Sequence, residues 1–330
     1  MMKVVDMHCD TISKLYDDHA KGLTGNLLCN QGHLDLNKMK KGDYLLQNFA
    51  MFVHLDHYPH ASLRAHQLID YYYQQIDQFK DYIRPVYCYQ DILNNEENGL
   101  MSAMLTLEEG AVVDNDLAML RNYYRLGVRM ITLTWNFPNG IGFPNFTRPQ
   151  SFQETYQLNT KSGLTDFGIA YIQEMERLGI IIDVSHLGDA GFYDVYHHTT
   201  KPFVASHSNA RSLCHAARNM SDDMILKLAS RGGVIGINFY GDFLLETSTG
   251  GAPSRIEDMV KHILYIKDLA GIDCIGLGSD FDGIDGQLEL KDASCYQMLK
   301  EALVQAGLSQ EDIEKIFYKN VLRVYREILK

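Results

Sequence analysis

Residues 166–186, DFGIAYIQEMERLGIIIDVSH, carry the pattern that decides the fold. Apolar side chains recur at helical spacing as far as Gly179, a residue suited to a left-handed helix stop. The chain then changes to an unbroken apolar run of the kind a buried parallel strand needs. His186 closes that run. The same order of helix pattern, glycine, apolar run and polar end recurs at 117–136 with Gly127 and at 256–280 with Gly271. A repeated αβ unit implies parallel strands joined by helical crossovers.

Working outward, strands are expected near 4–10, 46–54, 101–107, 129–135, 180–185, 202–206, 233–239 and 274–280. Helical patterns at 61–80, 115–126, 166–178, 221–230 and 255–270 supply crossovers, and Ser309 is expected to cap a terminal helix. Eight strands is the number that closes an α/β (β/α)8 TIM barrel. The expectation is a single domain over residues 1–330, in which the connections 11–45 and 136–165, rich in Gly, Asn and Pro, form or cover a site.

A formal charge of −12 without a Lys/Arg run weighs against nucleic acid or an anionic membrane as partner, and a small polar substrate is the more natural one. The six cysteines, Cys9, Cys29, Cys88, Cys214, Cys274 and Cys295, show no C-x-x-C and no framework spacing, so reduced thiols are expected. The first strand-like run begins within a few residues of Met1, and no stretch is apolar enough to cross a bilayer. The expected compartment is therefore the cytoplasm.

Metal-ligand residue types close four of the apolar runs. His8 and Asp10 are two apart on a strand and so point to one side. Glu108 and Glu109 are adjacent, so alternation lets only one face the barrel axis; Met104, Thr106 and Glu108 share a side. His186 and His207 each read, alone, as core histidines satisfied by backbone partners. At the ends of successive strands of a closed barrel they converge with His8, Asp10 and Glu108 into a divalent-metal set. A second H-x-D, His54-Leu55-Asp56, followed by His57 and His60, fits a polar pocket wall or solvated loop better than a metal site. Of Asp280 and Asp282, one suits a general acid/base and the other an Asx turn before Gly283. Arg218 suits either a surface ion pair or a bidentate clamp on a substrate carboxylate.

The stretches D6-M-H-C-D-T, L107-E-E-G, R129-M-I-T-L-T-W-N, I182-D-V-S-H, A205-S-H-S-N-A-R, A217-R-N-M-S-D-D, I237-N-F-Y and G276-L-G-S-D-F-D-G resemble the renal or membrane dipeptidases, a family of metallopeptidases. The matches run in order from residue 6 to the K319-N-V-L-R-V-Y tail. The resemblance implies a barrel that hydrolyses dipeptides and that works as a homodimer, with tolerance of a C-terminal D-residue left open. It also implies two zinc ions, His8 and Asp10 holding one, His186 and His207 the other, and Glu108 between them. Asp280 matches the acid that manages protons, and Arg218 the arginine that meets the substrate. One departure stands out: where the family has T-H, this chain has Thr134-Trp135-Asn136. The histidine thought to steady the tetrahedral intermediate is replaced by Asn136 or a loop group, or the substrate differs.

Two other functions compete. One is another barrel amidohydrolase, a cyclic amidase, deaminase or lactonase, although many of those begin with H-x-H and bridge through a modified lysine. The other is a barrel that has lost catalysis and only binds, for which Trp135 is the sole support.

Overall fold

The structure, a computed structural model, describes residues 2–145 and 152–330. Among these residues nine strands follow one another: β1 (Val4–Asp6), β2 (Tyr44–Phe52), β3 (Ile83–Pro85), β4 (Met101–Glu108), β5 (Val128–Thr132), β6 (Ile181–Asp183), β7 (Val204–Ala205), β8 (Val234–Ile237) and β9 (Ile275–Leu277). Eight of them form a closed parallel ring in the order β1, β2, β4, β5, β6, β7, β8, β9, which returns from β9 to β1. The expected barrel is therefore present. β3 is an addition: Ile83–Pro85 pairs with Met101–Ala103 at the base of β4, below Leu105, where pairing with β5 begins.

Most of the strands end before the apolar runs in which they lie. His186 (φ 68°) and Asp280 (φ 64°) lie in the left-handed region just past β6 and β9, where non-glycine residues are uncommon and often functional. Gly179 does form the left-handed cap of helix Asp166–Leu178 (φ 86°, ψ 35°).

The connection 11–45 is not loop throughout. Helices Thr11–Ala20 and Leu36–Lys41 occupy much of it, the second capped by Asp35, whose carboxylate accepts Lys38 N–H at 2.8 Å. Each is short, so its apolar face repeats too few times to stand out as periodicity. Part of the connection 136–165 lies outside the described residues.

The tail closes one mouth of the barrel. Ser309 caps helix Gln310–Glu314 as expected, its Oγ accepting Asp312 N–H at 3.1 Å, and a π turn leads into helix Asn320–Ile328. Arg323 donates to the carbonyls of Gly232 and Asp273, and Asn320 to those of Ile272 and Ile275, all at the starts of β8 and β9. Val321, Val324 and Tyr325 enter the barrel core beside Val5, Met7 and Met104, and Asn48 Nδ2 donates to Tyr325 Oη at 2.7 Å. The C-terminal strand ends are left as the accessible face, which is where barrels place chemistry.

Candidate metal centre and active site

Five side chains from four strand ends meet on that face. Glu108, at the end of β4, stands between two pairs. Its Oε1 lies 3.1 Å from His186 Nε2 and 3.6 Å from His207 Nε2, which are themselves 3.1 Å apart. Its Oε2 lies 3.3 Å from His8 Nε2, which is 3.4 Å from Asp10 Oδ2. Ligands around one tetrahedral zinc ion sit roughly 3.3–3.4 Å from one another, given bond lengths near 2.0–2.1 Å. The five separations, 3.1–3.6 Å, bracket that spacing. Both ring nitrogens of His8 and Oδ1 of Asp10 are buried without a hydrogen-bond partner, a costly state that a cation would relieve. The donor set thus fits divalent metal, and each oxygen of Glu108 faces its own pair. Among the described residues, the groups of donors close enough for one ion are drawn only from these five and Asp280.

Both far histidines are held in the tautomer a metal ligand needs. Asn136 Oδ1 accepts from His186 Nδ1 at 3.0 Å, which turns the Nε2 lone pair toward Glu108. Ser206 Oγ donates to Asp183 Oδ2 at 2.6 Å and so accepts from His207 Nδ1 at 2.7 Å, with the same result. Asp183 also accepts from Thr132 Oγ1 and from the backbone of Ser185 and Ser206, pinning β5, β6 and β7 together. Asp6 repeats the device at β1 and β9, accepting from the backbone of His8 and Ser279 and from the hydroxyls of Ser279 and Tyr296.

The site opens into a cleft of about 620 Å³ lined by Asp10, Glu108, His186, Asp280, Trp135, Asn136, Phe52, Tyr240 and Phe243, among others. Asp280 Oδ2 accepts from Asn238 Nδ2 at 2.9 Å, and Oδ1 lies 3.9 Å from His8 Nε2. Asp282, two residues on, commits its carboxylate to Thr11 Oγ1 and His33 N–H, both at 2.6 Å. It is the structural member of the pair. Gly283 passes so close that a Cβ there would collide with Asp10 Oδ2 and Asp280 Oδ1. Arg218 is buried just behind the cleft wall: Nη1 donates to Ser208 Oγ and Nη2 to the His207 carbonyl, both at 2.9 Å, while Nε has no partner. Its Cζ lies 5.7 Å from the ring centroid of Phe243.

A profile of the membrane dipeptidases, peptidase family M19, matches residues 1–330. The chain belongs to this family. A dipeptidase of Schizosaccharomyces pombe, described as uncharacterised, is 35% identical over 323 residues, 94% of this chain and 74% of its own length. A dipeptidase of Aspergillus oryzae is 30% identical over 307 residues, covering 90% of this chain and 70% of its own. The crystal structure of dipeptidase AC, an M19 metallopeptidase, superposes with a TM-score of 0.89 at 26% identity, over 99% of both chains. A metallopeptidase of Rhodobacter sphaeroides, liganded with a phosphinate mimic of the dipeptide L-Ala-D-Ala, gives 0.88 at 25% identity, again over 99% of both chains.

As a member of the membrane dipeptidase family the chain is a dipeptide-hydrolysing metallopeptidase, and the electrostatics of the centre agree with metal. Burial raises Glu108 to about 7, opposed by His8 and reinforced by Asp10. Burial likewise raises Asp280, with Asp10 adding to it. Burial disfavours the charged ring of His8, yet the carboxylates of Glu108 and Asp10 hold its pKa well above the ordinary value. Burial keeps His186 and His207 well below theirs, so both are neutral with a lone pair to offer. Three carboxylates crowded around one imidazole make a centre whose negative charge a divalent cation offsets.

Among the described residues, His54, Asp56, His57 and His60 fall in none of the donor groups close enough for one ion, and His54 packs against the cleft-lining Trp135 without lining the cleft itself. The rings of His54 and His57 stack at 3.8 Å, and His54 lies 5.0 Å from Trp135. Glu109 turns away from the axis (φ 113°) and accepts from the backbone of Ala111 and Trp135 and from Asn139 Nδ2. Sequence reasoning assigned no role to Asp6 or Asp183. The available signal was a carboxylate inside an apolar strand run, a placement that demands several donors.

Proposed function

We propose that the chain is a binuclear zinc dipeptidase that hydrolyses dipeptides with a free C-terminal carboxylate, including those ending in a D-residue. The observation that carries this is the division of Glu108: one oxygen belongs with His186 and His207, the other with His8 and Asp10. His8 and Asp10 would hold one ion, His186 and His207 the other, and Glu108 would bridge them. Bound divalent metal supplies Lewis acidity, which polarises a carbonyl and makes water nucleophilic near neutral pH.

The chain's own groups do the rest. Asp280, steadied by Asn238 on the cleft wall, takes the proton of the attacking water and returns it to the leaving amine. Arg218 carries a buried charge whose present partners are neutral oxygens, and burial lowers its pKa to about 10. A substrate carboxylate would complete it, which suits very short peptides because a longer chain places its terminus elsewhere. The Rhodobacter relative's phosphinate ligand mimics a dipeptide with a D-residue at its C-terminus, which supports the same range here. Six unpaired cysteines, one of them exposed, support a reducing, cytoplasmic setting; no helix among the described residues is long and apolar enough to cross a membrane. A homodimer built of one catalytic domain per chain completes the proposal, on the family resemblance.

The deciding experiment compares dipeptides with their C-terminal amides on metal-reconstituted protein. Dipeptides are cut much faster, and Arg218→Met narrows that preference by about one to two decades in kcat/KM, the worth of a charged hydrogen bond. Equal rates on amides and free dipeptides would remove the clamp and favour a different amidohydrolase.

Asn136 acts on the centre through His186 rather than as a donor to metal. Asn136→Ala leaves His186 Nδ1 without its acceptor, so the second ion binds roughly 10- to 100-fold more weakly. Competition with a chelator measures this, and unchanged affinity would assign Asn136 to substrate contact alone.

A further inference from the structure

We propose that Trp135 and Phe52 form the subsite for the side chain of the substrate's N-terminal residue, so that the enzyme selects dipeptides beginning with a large apolar residue; this rests on the dipeptidase function argued above. Trp135 stands where the family resemblance leads one to expect a histidine. Its indole lies half-buried on the cleft wall with Phe52, the two rings meeting edge-on at 4.9 Å. Behind it stand His54 at 5.0 Å and Phe137 at 5.6 Å, and its backbone N–H is tied to Glu109 at 3.2 Å. The ring is therefore fixed from behind and below, with its remaining surface toward the cleft. It lies 6.1 Å from the ring of His186, within one side-chain length of the reacting centre.

The direction of the substrate follows from ring order. Arg218 follows β7 and Phe243 follows β8, whereas Phe52 ends β2 and Trp135 follows β5. In the closed order β1, β2, β4, β5, β6, β7, β8, β9, the strands β7 and β8 face β2 and β4 across the mouth, and the wall that Phe52 makes with Trp135 runs from β2 over β4 to β5, two places from β7. A dipeptide with its carboxylate at Arg218 and its peptide bond at the centre extends its first residue toward the aromatic wall. The indole has an N–H donor and no acceptor, so what it offers there is chiefly a rigid apolar face. In a cleft otherwise rich in carboxylates, that face rewards an apolar side chain that displaces water from it.

The test uses metal-reconstituted protein, kcat/KM on Phe-Ala, Leu-Ala and Gly-Ala against Ala-Phe and Ala-Gly, and the intrinsic fluorescence of Trp135, the one tryptophan of the chain. The parent should prefer Phe-Ala or Leu-Ala over Gly-Ala by roughly tenfold or more, as apolar pockets do. Trp135→Ala should cut that ratio to near one while leaving the Ala-Phe to Ala-Gly ratio as it was, and Trp135→Phe, which keeps a ring in the packing, should fall between. Saturating the parent with a phosphinate analogue of Phe-Ala should shift tryptophan emission to the blue more than the Gly-Ala analogue does. Failure to cut any dipeptide would bring down the dipeptidase function itself. Cleavage without N-terminal preference, an unresponsive tryptophan, or a Trp135→Phe variant that slows every dipeptide equally would overturn the subsite alone, the last result assigning Trp135 to the transition state.

Discussion

Glu108→Gln abolishes metal pairing and lowers turnover by about three orders of magnitude or more, the scale of losing several kcal/mol of metal-derived stabilisation. The substitution keeps shape and size but replaces one carboxylate oxygen by an amide nitrogen that has no lone pair to offer. Because Oε1 and Oε2 serve different donor pairs, either orientation of the amide deprives one pair of its third ligand. Metal analysis after reconstitution should give two ions per parent chain and at most one tightly held ion in the variant. A parent that never exceeds one ion would end the binuclear proposal. Misfolding is a separable outcome. In metal-free protein Glu108 has its pKa raised by burial from 4.5 to about 7, so the folded state binds more protons than the unfolded one between those values. Glu108 therefore makes the metal-free parent less stable as pH rises through that window, and the neutral glutamine removes that share of the pH dependence. Thermal unfolding of the two metal-free proteins at pH 5 and pH 8 reads this directly: the variant should melt no lower than the parent at pH 8.

Asp280→Asn is expected to keep both ions and lose kcat by roughly two to four orders of magnitude, the range for removing a positioned acid/base. The metals stay because Asp280 stands further off than the ligands do, with Oδ1 3.9 Å from His8 Nε2 against 3.3 Å for Glu108 Oε2. The local structure stays because an asparagine oxygen can still accept from Asn238 Nδ2. What is lost is the ability to take and return a proton. Stopped assays on fully metallated variant, with KM determined separately, isolate that loss; near-normal kcat would reassign Asp280 to structure.

The barrel and its metal-ligand candidates were legible for one reason. Helix-to-strand switches at Gly127, Gly179 and Gly271 repeat along the chain, and His8, Asp10, Glu108, His186 and His207 each stand at or just past the end of an apolar run. Parallel closure then puts all such ends on one rim. The same logic could not separate His8-Cys9-Asp10 from His54-Leu55-Asp56, since both close apolar runs. Nor could it find β3, which is three residues long, or the short helices in the connection 11–45.

By itself the sequence determined the parallel α/β architecture and which residue types sit at strand ends, because burial and alternation are written locally as periods of 3.6 and 2 residues. Only the tertiary structure decided which atoms meet. The division of Glu108 between two donor pairs, the hold of Asn136 on His186, and the aromatic wall that Phe52 and Trp135 make, backed by His54, join strands separated by tens of residues. Those meetings depend on how the barrel's register and the left-handed turns after its strands aim each side chain. No local periodicity records that angle.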